Sequence, residues 1–243
     1  MGFTATGITD KGLVRENNED AIFVSQEKIG RLNNVFIIAD GMGGHTSGEI
    51  ASSKAVEFFL EYVRKSVSDG SYTENFLAGA VKYANDRILG LTFSDQSLRG
   101  MGTTFTAACT DNVNFYYAHV GDSRAYSIAN GEITQITQDH TFVGEMRRSG
   151  ALTEEELKTH PNRHMLTRAL GTDYETTVDY GYRPLAGGDI FLLCSDGLTN
   201  MLTDEEIKAI AEADGTLDEK AQKLVATAIE AGGKDNVSVI IIS

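Results

Sequence analysis

Apolar residues are spaced along the chain in two ways, and the two spacings predict different elements. Unbroken apolar runs that end at a turn signal predict buried strands, as at 34–40. Residues 49–65 and 73–91 instead carry apolar side chains at helical spacing, without an internal breaker. The same criteria predict further strands at 3–9, 21–25, 103–110, 113–120, 124–128, 132–137, 176–183, 189–195 and 237–242 and further helices at 203–213 and 217–231.

Short turns join several of the predicted strands. Asp111-Asn112 and Asn130-Gly131 are hairpin signals that lie between consecutive apolar runs. Strands that follow one another in this way favour an antiparallel sheet over a doubly wound parallel one.

Ser47 is a candidate N-cap for the helix that begins near residue 49.

The segment 139–175 has a different character. It predicts short helices at 141–149 and 153–158 and interrupts the series of strands. No low-complexity tract or linker separates it from the rest of the chain. We therefore expect one domain, residues 1–243, with a surface insert at about 140–175.

Acidic residues stand where the predicted core strands end or begin. Asp40, Asp122 and Asp196 follow apolar runs, and Lys234-Asp235-Asn236 directly precedes one. Such strand ends can converge at one end of a packed sheet. Carboxylates brought together repel one another, so a cluster of this kind requires protonation or a cation. Oxygen ligands alone suit hard ions such as Mg2+ or Mn2+ better than zinc.

Composition and charge argue against some classes of binding partner and some cellular locations. The chain has 243 residues, a net charge of −14 and a pI near 4.7, which argues against a nucleic-acid surface and against anionic membranes. No apolar span is long enough for a transmembrane helix, and the N-terminus has no signal-peptide pattern. Cys109 and Cys194 lie in predicted strands and are expected to be reduced core residues, which favours a cytoplasmic protein.

The motifs, taken in order, resemble those of the protein phosphatase 2C family, the metal-dependent serine/threonine protein phosphatases. The resemblance covers essentially the whole chain, and the Asp-Gly-Met-Gly-Gly-His form is similar to that of the bacterial branch. The matching motifs are Arg15-x-x-Asn18-Glu19-Asp20, Asp40-Gly41-Met42-Gly43-Gly44-His45, Met101-Gly102-Thr103-Thr104, Val120-Gly121-Asp122-Ser123-Arg124, Asp139-His140, His160-Pro161, Leu166-Thr167-Arg168-Ala169-Leu170-Gly171, Ser195-Asp196-Gly197-Leu198 and Asp235-Asn236.

The resemblance implies a fold and a set of metal ligands. The fold would be α+β, a four-layer α-β-β-α sandwich of two antiparallel sheets flanked by helices. Asp40 would bridge two ions, and the carbonyl of Gly41 would bind one of them. Asp196 and Asp235 would hold the first ion. Asp122, together with Asp196, matches a weaker third metal site of bacterial members.

Other matched positions would support the site or the substrate. Glu19 and Asp20 match acids that act mainly through metal-bound water or support the site. Arg15 matches the phosphate-binding arginine, whose planar fork pairs with two phosphate oxygens. His45 would donate a proton to the leaving serine or threonine oxygen, or it would only cap the start of the helix.

These residues predict a mechanism of direct hydrolysis. Two core Mn2+ or Mg2+ ions would lower the pKa of a bridging water and neutralise the phosphoryl oxygens. The bridging hydroxide would attack phosphorus in line, without a covalent phosphoenzyme, and fixed cations and Arg15 would stabilise the charge of the transition state. The expected activity is hydrolysis of phosphoserine and phosphothreonine in proteins.

The resemblance also implies partners. Bacterial relatives often oppose a membrane-bound serine/threonine kinase, so a cognate kinase and its phosphorylated targets are the expected partners of this chain. The insert at about 140–175 corresponds to the flap of bacterial members, and we expect it to help select the protein substrate. A cytoplasmic monomer without a nucleic-acid or membrane partner is expected.

Alternatives remain open at this stage. The chain could be a catalytically inactive regulatory module of the same fold, although every metal-ligand position is filled. It could also act on a small phospho-metabolite, or as an anti-sigma-factor-type regulator. A cysteine-based phosphatase is disfavoured, since Asn200 and Phe115 stand six residues after the two cysteines, where that class of enzyme needs an arginine.

Overall fold

The computed structural model describes residues 3–44, 47–66, 72–111, 113–151, 153, 156 and 160–243. They form an α+β fold in which two antiparallel sheets pack face to face, with helices on both outer sides, as the sequence predicts. The strands are β1 (Ala5–Asp10), β2 (Asp20–Ser25), β3 (Val35–Met42), β4 (Gly102–Thr103), β5 (Phe105–Thr110), β6 (Asn114–Val120), β7 (Arg124–Ala129), β8 (Glu132–Gln135), β9 (Asp179–Pro184), β10 (Ile190–Cys194) and β11 (Val237–Ile242). The helices are α1 (Ser47–Lys65), α2 (Thr73–Ser94), α3 (Phe142–Ser149), α4 (Asp196–Thr199), α5 (Asp204–Glu212) and α6 (Leu217–Glu230).

The two sheets are built from strands that are distant in sequence. The first sheet has the order β1-β11-β10-β7-β8, and the second has the order β2-β3-β5-β6-β9, with β4 paired to the end of β3. Asn130 and Gly131 have φ values of 53° and 75°, which suit the tight turn of the β7–β8 hairpin. The pairing of β1 with β11 joins the two ends of the chain.

The unbroken apolar runs are explained by burial on both faces of each sheet. In β3, Phe36 and Ile38 pack between the sheets, while Val35 and Ile37 pack on the opposite side with α1 and α2. The same alternation in β10 and β11 directs one set of side chains between the sheets and the other set toward α5 and α6. Phe115 and Phe191 stack between the sheets with their ring centroids 4.2 Å apart.

One predicted strand is divided. Residues 103–110 form β4 and β5, and the break falls at Thr104, opposite Asp40. The backbone N–H of Asp40 donates to Oγ1 of Thr104 (2.9 Å), so a side chain takes the place of a backbone acceptor at this point. The register of pairing is the same on both sides of the break.

Two further predictions are corrected near α1 and α2. Ser47 lies inside α1, and its hydroxyl donates to the carbonyl of Ser97 (3.4 Å), so it is not the N-cap. The predicted loop after residue 91 begins later, because α2 continues to Ser94 and a 3-10 turn follows at Gln96–Leu98. The Ser47–Ser97 bond joins residues far apart in sequence, which helical spacing does not reveal. The end of α2 and the 3-10 turn are held by local bonds such as that from the N–H of Asp95 to the carbonyl of Leu91.

The insert begins as expected with a short helix. Thr141 caps α3 by accepting from the N–H of Gly144 (3.0 Å), and Gly150 ends the helix at a φ of 67°. The second predicted helix, at 153–158, lies mostly outside the described residues. Within the described ranges, no helix combines the length and apolar character needed to cross a membrane.

Candidate metal centre

A cavity of about 810 Å3 crosses the boundary between the two sheets. Asp40 reaches it from β3 of the second sheet, while Asp196 and Asp235 reach it from the ends of β10 and β11 in the first sheet. Asp122 enters from the turn between β6 and β7. The structure therefore places all four strand-end aspartates around a single space.

The backbone of Asp40 is fixed on both of its polar groups. Its N–H donates to Oγ1 of Thr104, and its carbonyl accepts from the N–H of Thr104 (2.9 Å) and from Oγ1 of Thr103 (2.9 Å). Oγ1 of Thr104 also shares a hydrogen bond with Oγ of Ser123, next to Asp122 (2.7 Å). The two threonines therefore connect the backbone around Asp40 with the turn that carries Asp122.

Glycines are required where backbone segments cross at the site. A Cβ at residue 41 would lie 2.1 Å from the carbonyl oxygen of Gly48 and 2.6 Å from that of Glu19. A Cβ at residue 197 would lie 1.9 Å from the carbonyl oxygen of Asn236. Only glycine fits such close approaches. These crossings bring Asp40 and Asp196, the preceding residues, into the cavity.

Asn236 organises the loop that leads into β2. Its Oδ1 accepts from the N–H of Glu19 (2.8 Å), and its Nδ2 donates to the carbonyls of Lys11 and Asn17 (both 2.9 Å). Asn236 is buried, so these bonds satisfy an amide that has little access to water. They hold the loop that carries Arg15 and Glu19 against Asp235.

The clustered carboxylates are electrostatically strained. Burial raises the pKa of Asp40 and of Asp122 well above their ordinary values, and the neighbouring carboxylates raise both further. Burial also raises the pKa of Asp196, and Asp235 adds to that rise. Like charges in a partly desolvated space disfavour ionisation of the whole group. The cluster is therefore stabilised by protonation or by a cation.

Arg15 supplies one positive charge at the cavity. Its Nη2 lies 2.7 Å from Oδ2 of Asp235, and its side chain remains 49% exposed. Burial lowers the pKa of Arg15, but Asp235, Asp40 and Glu19 together raise it by more, so the guanidinium stays charged. Arg15 therefore combines contact with the acidic cluster with access from solvent.

Asp20 occupies a different position from the other acids. It pairs with Asp40 in the β2–β3 register, but its Oδ2 accepts from Ser195 (2.8 Å) and Ser238 (2.6 Å) of the opposite sheet. It is absent from the described lining of the cavity, whereas Glu19 is part of it. Burial raises the pKa of Asp20 to about 7. This side chain joins the two sheets directly behind the metal-binding candidates.

The donor set fits hard divalent ions. The acids provide only oxygen donors, and Oδ1 of Asp20 is buried without a hydrogen-bond partner among the described residues. No three acidic, histidine or cysteine side chains in the described ranges are already arranged to hold one ion.

The insert contributes to the same region. Arg163 and His164 line the cavity, and they also line a second cavity of about 730 Å3 that shares Asp122 and Asp196 with the first. The two spaces are therefore adjacent, and the exposed side of the second reaches α3 at Arg147 and Arg148.

The sequence reasoning left several supporting residues without a role. Their signal was present, since each lies within or beside a motif, but their partners are distant in sequence. These residues are Thr103, Thr104, His140, Ser195, Asn200, Asn236 and Ser238. His45, which was assigned a proton-donor or capping role, lies outside the described residues.

Comparison with known proteins places this geometry in a family. A family model described as protein phosphatase 2C matches residues 14–231. The protein phosphatase PhpP of Streptococcus pneumoniae is 38% identical over 237 residues, which cover 97% of this chain and 95% of that protein.

Solved structures agree with the sequence match. The serine/threonine phosphatase of S. agalactiae is 34% identical and covers 99% of this chain and 98% of its own, with a TM-score of 0.92. The catalytic domain of the serine/threonine protein phosphatase PstP, in complex with two manganese ions, is 35% identical, with coverages of 99% and 97% and a TM-score of 0.83.

The charge cluster predicts how Mn2+ affects thermal stability. We expect Mn2+ at about 100 times its Kd to stabilise the wild-type protein by about 2.7 kcal/mol. The Asp40→Asn variant should melt no lower than the wild type in EDTA, because the amide removes like-charge repulsion, but Mn2+ should raise its Tm by less. Differential scanning calorimetry measures both effects.

A matched control is Glu205→Gln, which removes an exposed carboxylate that pairs with Lys208 on α5. This variant should keep the full Mn2+ shift. An equal Mn2+ shift in the Asp40→Asn variant would contradict the placement of Asp40 at the metal centre.

Proposed function

The chain belongs to the protein phosphatase 2C family and is a serine/threonine phosphatase, and from that premise we propose that it hydrolyses phosphoserine and phosphothreonine in proteins with Mn2+ or Mg2+. The observation that carries the proposal is the convergence of Asp40, Asp196, Asp235 and Arg15 on one cavity between the sheets. That cavity combines hard oxygen donors with a charged, accessible guanidinium.

The ions would be held by the strand-end acids, with Asp196 shared between the core ions and the third ion. We assign the two core ions to Asp40, the carbonyl of Gly41, Asp196 and Asp235, and a third, weaker ion to Asp122 with Asp196. Glu19 and Asp20 would act through water or by supporting the site. When bound, the ions would lower the pKa of a water and neutralise phosphoryl charge.

Residues of the chain would bind the phosphate group of the substrate and hold the metal-binding carboxylates in place. Arg15 is oriented by Asp235, and in the presence of a phosphate monoester its planar fork can bind two phosphate oxygens instead. Thr103 and Thr104 keep Asp40 in place by bonding its backbone, so its carboxylate does not depend on a mobile loop. The proton donor to the leaving oxygen stays a prediction for His45.

The wider biological assignment follows from the substrate class. We propose that phosphorylated proteins are the substrates, that a serine/threonine kinase with the same targets is the opposing activity, and that the protein acts in the cytoplasm as a monomer. Residues 1–243 would act as one domain, with the insert at about 140–175 as a flap. The second cavity beside Arg163 and His164 supports a role of that flap in substrate choice.

Hydrolysis of a phosphothreonine peptide tests the activity. We expect turnover with Mn2+ or Mg2+ and none with EDTA, since the carboxylate cluster lacks its cations in the chelator. Asp40→Ala and Asp196→Ala should abolish turnover at saturating Mn2+ while circular dichroism shows a folded protein. Glu205→Gln serves as the control and should keep wild-type activity.

Three outcomes would change the assignment of activity, substrate or residue. Absence of turnover from folded, Mn2+-bound wild-type protein would favour an inactive binding module of the same fold. Faster turnover of small phosphate esters of metabolites than of any phosphopeptide would move the substrate class away from proteins. Normal turnover of the Asp40→Ala variant would remove Asp40 from the reaction.

Arg15 is expected to act mainly in substrate binding. Arg15→Ala should raise the KM for the phosphopeptide more than it lowers kcat, because the lost fork binds phosphate in the ground state as well as in the transition state. The KM of Arg15→Lys should lie between those of the wild type and Arg15→Ala, since lysine keeps the charge but loses the bidentate geometry. Steady-state kinetics measures the difference, and an unchanged KM in Arg15→Ala would place Arg15 outside the substrate site.

The flap is expected to select among protein substrates. Replacement of residues 142–165 by the corresponding segment of another family member should change the relative kcat/KM for two phosphoproteins, because this segment borders the second cavity. Turnover of a small aryl phosphate is the control and should change little. Unchanged preference between the phosphoproteins would exclude the segment as a selector.

A further inference from the structure

A polar cluster lies at the base of the flap, beyond the residues assigned to metal or phosphate; it is buried at Gly121 and His140 and partly exposed at Arg168 and Asp179. We call it the flap-stem cluster, and it consists of Gly121, His140, Arg168 and Asp179. His140 is only 1% exposed, although it sits at the point where the flap leaves the sheets. None of these four residues is among those assigned to the ions or to phosphate.

His140 holds the residue before Asp122 in two ways. Nδ1 of His140 accepts from the N–H of Gly121 (3.1 Å), and the N–H of His140 donates to the carbonyl of Gly121 (2.8 Å). Both polar groups of the Gly121 residue are therefore fixed by a single partner. Because the ring accepts at Nδ1, the neutral tautomer carries its proton on Nε2.

The backbone conformation and close packing at Gly121 require glycine at this turn. Its φ is +112°, and a Cβ at this position would lie 2.5 Å from Cβ of Thr104. On the other side of Asp122, Ser123 bonds Thr104 through the two hydroxyl groups (2.7 Å). Asp122 is thus held between two anchored neighbours, and His140 supplies the anchor on the N-terminal side.

The opposite edge of the His140 ring contacts Asp179, the first residue of β9, and lies beside Arg168 near the C-terminal end of the flap. Nε2 of His140 donates to Oδ2 of Asp179 (3.0 Å), and Nη1 of Arg168 donates to Oδ1 of the same carboxylate (2.9 Å). Nη1 of Arg168 also lies 3.2 Å from Nε2, beside the shared carboxylate. The carbonyl of His140 accepts from the N–H of Thr167 (2.8 Å). This bond joins the N-terminal stem of the flap, at residues 139–141, to its C-terminal stem, at residues 166–170.

The C-terminal stem also reaches the backbone of Asp40. Leu170 and Thr103 exchange a pair of backbone hydrogen bonds (2.8 Å and 3.1 Å), and Oγ1 of Thr103 donates to the carbonyl of Asp40. This second path is made of ordinary strand pairing and does not pass through His140. The hydrogen bonds of His140 therefore position Asp122, whereas the bonds of Leu170 and Thr103 position Asp40.

We propose that His140 is a positioning residue that fixes Asp122 in the acidic cluster and, through Asp179 and Arg168, couples the affinity of the Asp122-dependent metal site to the seating of the flap. The inference rests on the proposed metal-dependent function. It assigns the coupling to a hydrogen-bonded chain from Arg168 to Gly121. Residues that orient metal ligands in this way typically change metal affinity about 10–100-fold when they are replaced.

Two substitutions separate the two edges of the ring. His140→Asn keeps an amide oxygen near the position of Nδ1, so it can still accept from Gly121, while it loses the contact with Asp179. His140→Gln extends an amide toward the position of Nε2, so it can still reach Asp179, while it loses the acceptor for Gly121. Both variants replace the imidazole by a neutral amide, and they differ by one methylene group, so the Asn34→Ala control described below accounts for general loss of buried structure.

Isothermal titration calorimetry with Mn2+ alone provides a measurement that does not require turnover. The Asp122-dependent binding is defined as the binding that is lost in Asp122→Asn. We expect His140→Gln to weaken that binding about 10–100-fold and His140→Asn to weaken it much less, with the binding that survives in Asp122→Asn unchanged in both. His140→Gln added to Asp122→Asn should have no further effect on Mn2+ binding.

The flap coupling has its own variant and control. Arg168→Gln should weaken the Asp122-dependent binding to about the same small extent as His140→Asn, because both break the chain at Asp179 and keep the acceptor for Gly121. This variant also tests the inference where His140→Gln does not fold. Asn34→Ala is the control for loss of buried hydrogen bonds, because it removes two 2.7 Å bonds to Thr110 elsewhere on the β3–β5 pair. It should lower Tm without changing Mn2+ binding.

The outcomes distinguish this inference from the proposed function. Equal Mn2+ affinities in the wild type, His140→Gln and Arg168→Gln would overturn the inference and leave the phosphatase assignment intact. Equal weakening of every Mn2+ site in His140→Gln and Asn34→Ala would show a general loss of structure and would also overturn it. Wild-type protein that binds no Mn2+ and has no turnover would overturn the proposed function and this inference together.

Discussion

Repulsion among buried carboxylates is the constraint on which the rest of the structure depends. Asp40, Asp122 and Asp196 each have a raised pKa because burial and neighbouring acids act in the same direction. A fold gains nothing in stability from such a cluster when it stands alone, since each charge is partly desolvated and unpaired. Arg15 offsets part of this repulsion through Asp235, and divalent cations would offset more. The acidic end of the sandwich therefore implies a function that requires cations.

The carboxylates are held close together, despite their repulsion, by close packing of the main chain and by side chains that bond to it. Gly41 and Gly197 allow main-chain segments to approach so closely that no side chain fits, and Asn236 bonds three separate main-chain groups of the loop before β2. Asp20 bonds hydroxyls from the opposite sheet, so it contributes to holding the sheets together beside the ligands. Placement of the carboxylates is thus a property of the packed sheets rather than of any one loop.

The flap is attached through residues that also touch the ligand-bearing turns. Its N-terminal stem contacts Gly121 through His140, and its C-terminal stem pairs with Thr103, which bonds the backbone of Asp40. A segment that borders the second cavity is therefore connected with the candidate metal centre by hydrogen bonds of 2.8–3.1 Å. This arrangement gives a physical route by which substrate contact at the flap and ion binding beneath it can influence each other.

The sequence by itself determined the antiparallel α+β class and the positions of the strand-end acids. Apolar runs such as 34–40 report burial directly, because a strand covered on both faces has no polar side. The sequence did not reveal that Thr104 interrupts its strand, that Arg15 contacts Asp235, or that Asp20 bonds Ser195 and Ser238. Spacing along the chain encodes which face of an element is buried. It does not encode which distant residue lies opposite, and Arg15 and Asp235 meet only after β1, β2 and β11 have packed. The tertiary structure therefore decided the partners of each acid, and with them the electrostatics of the site.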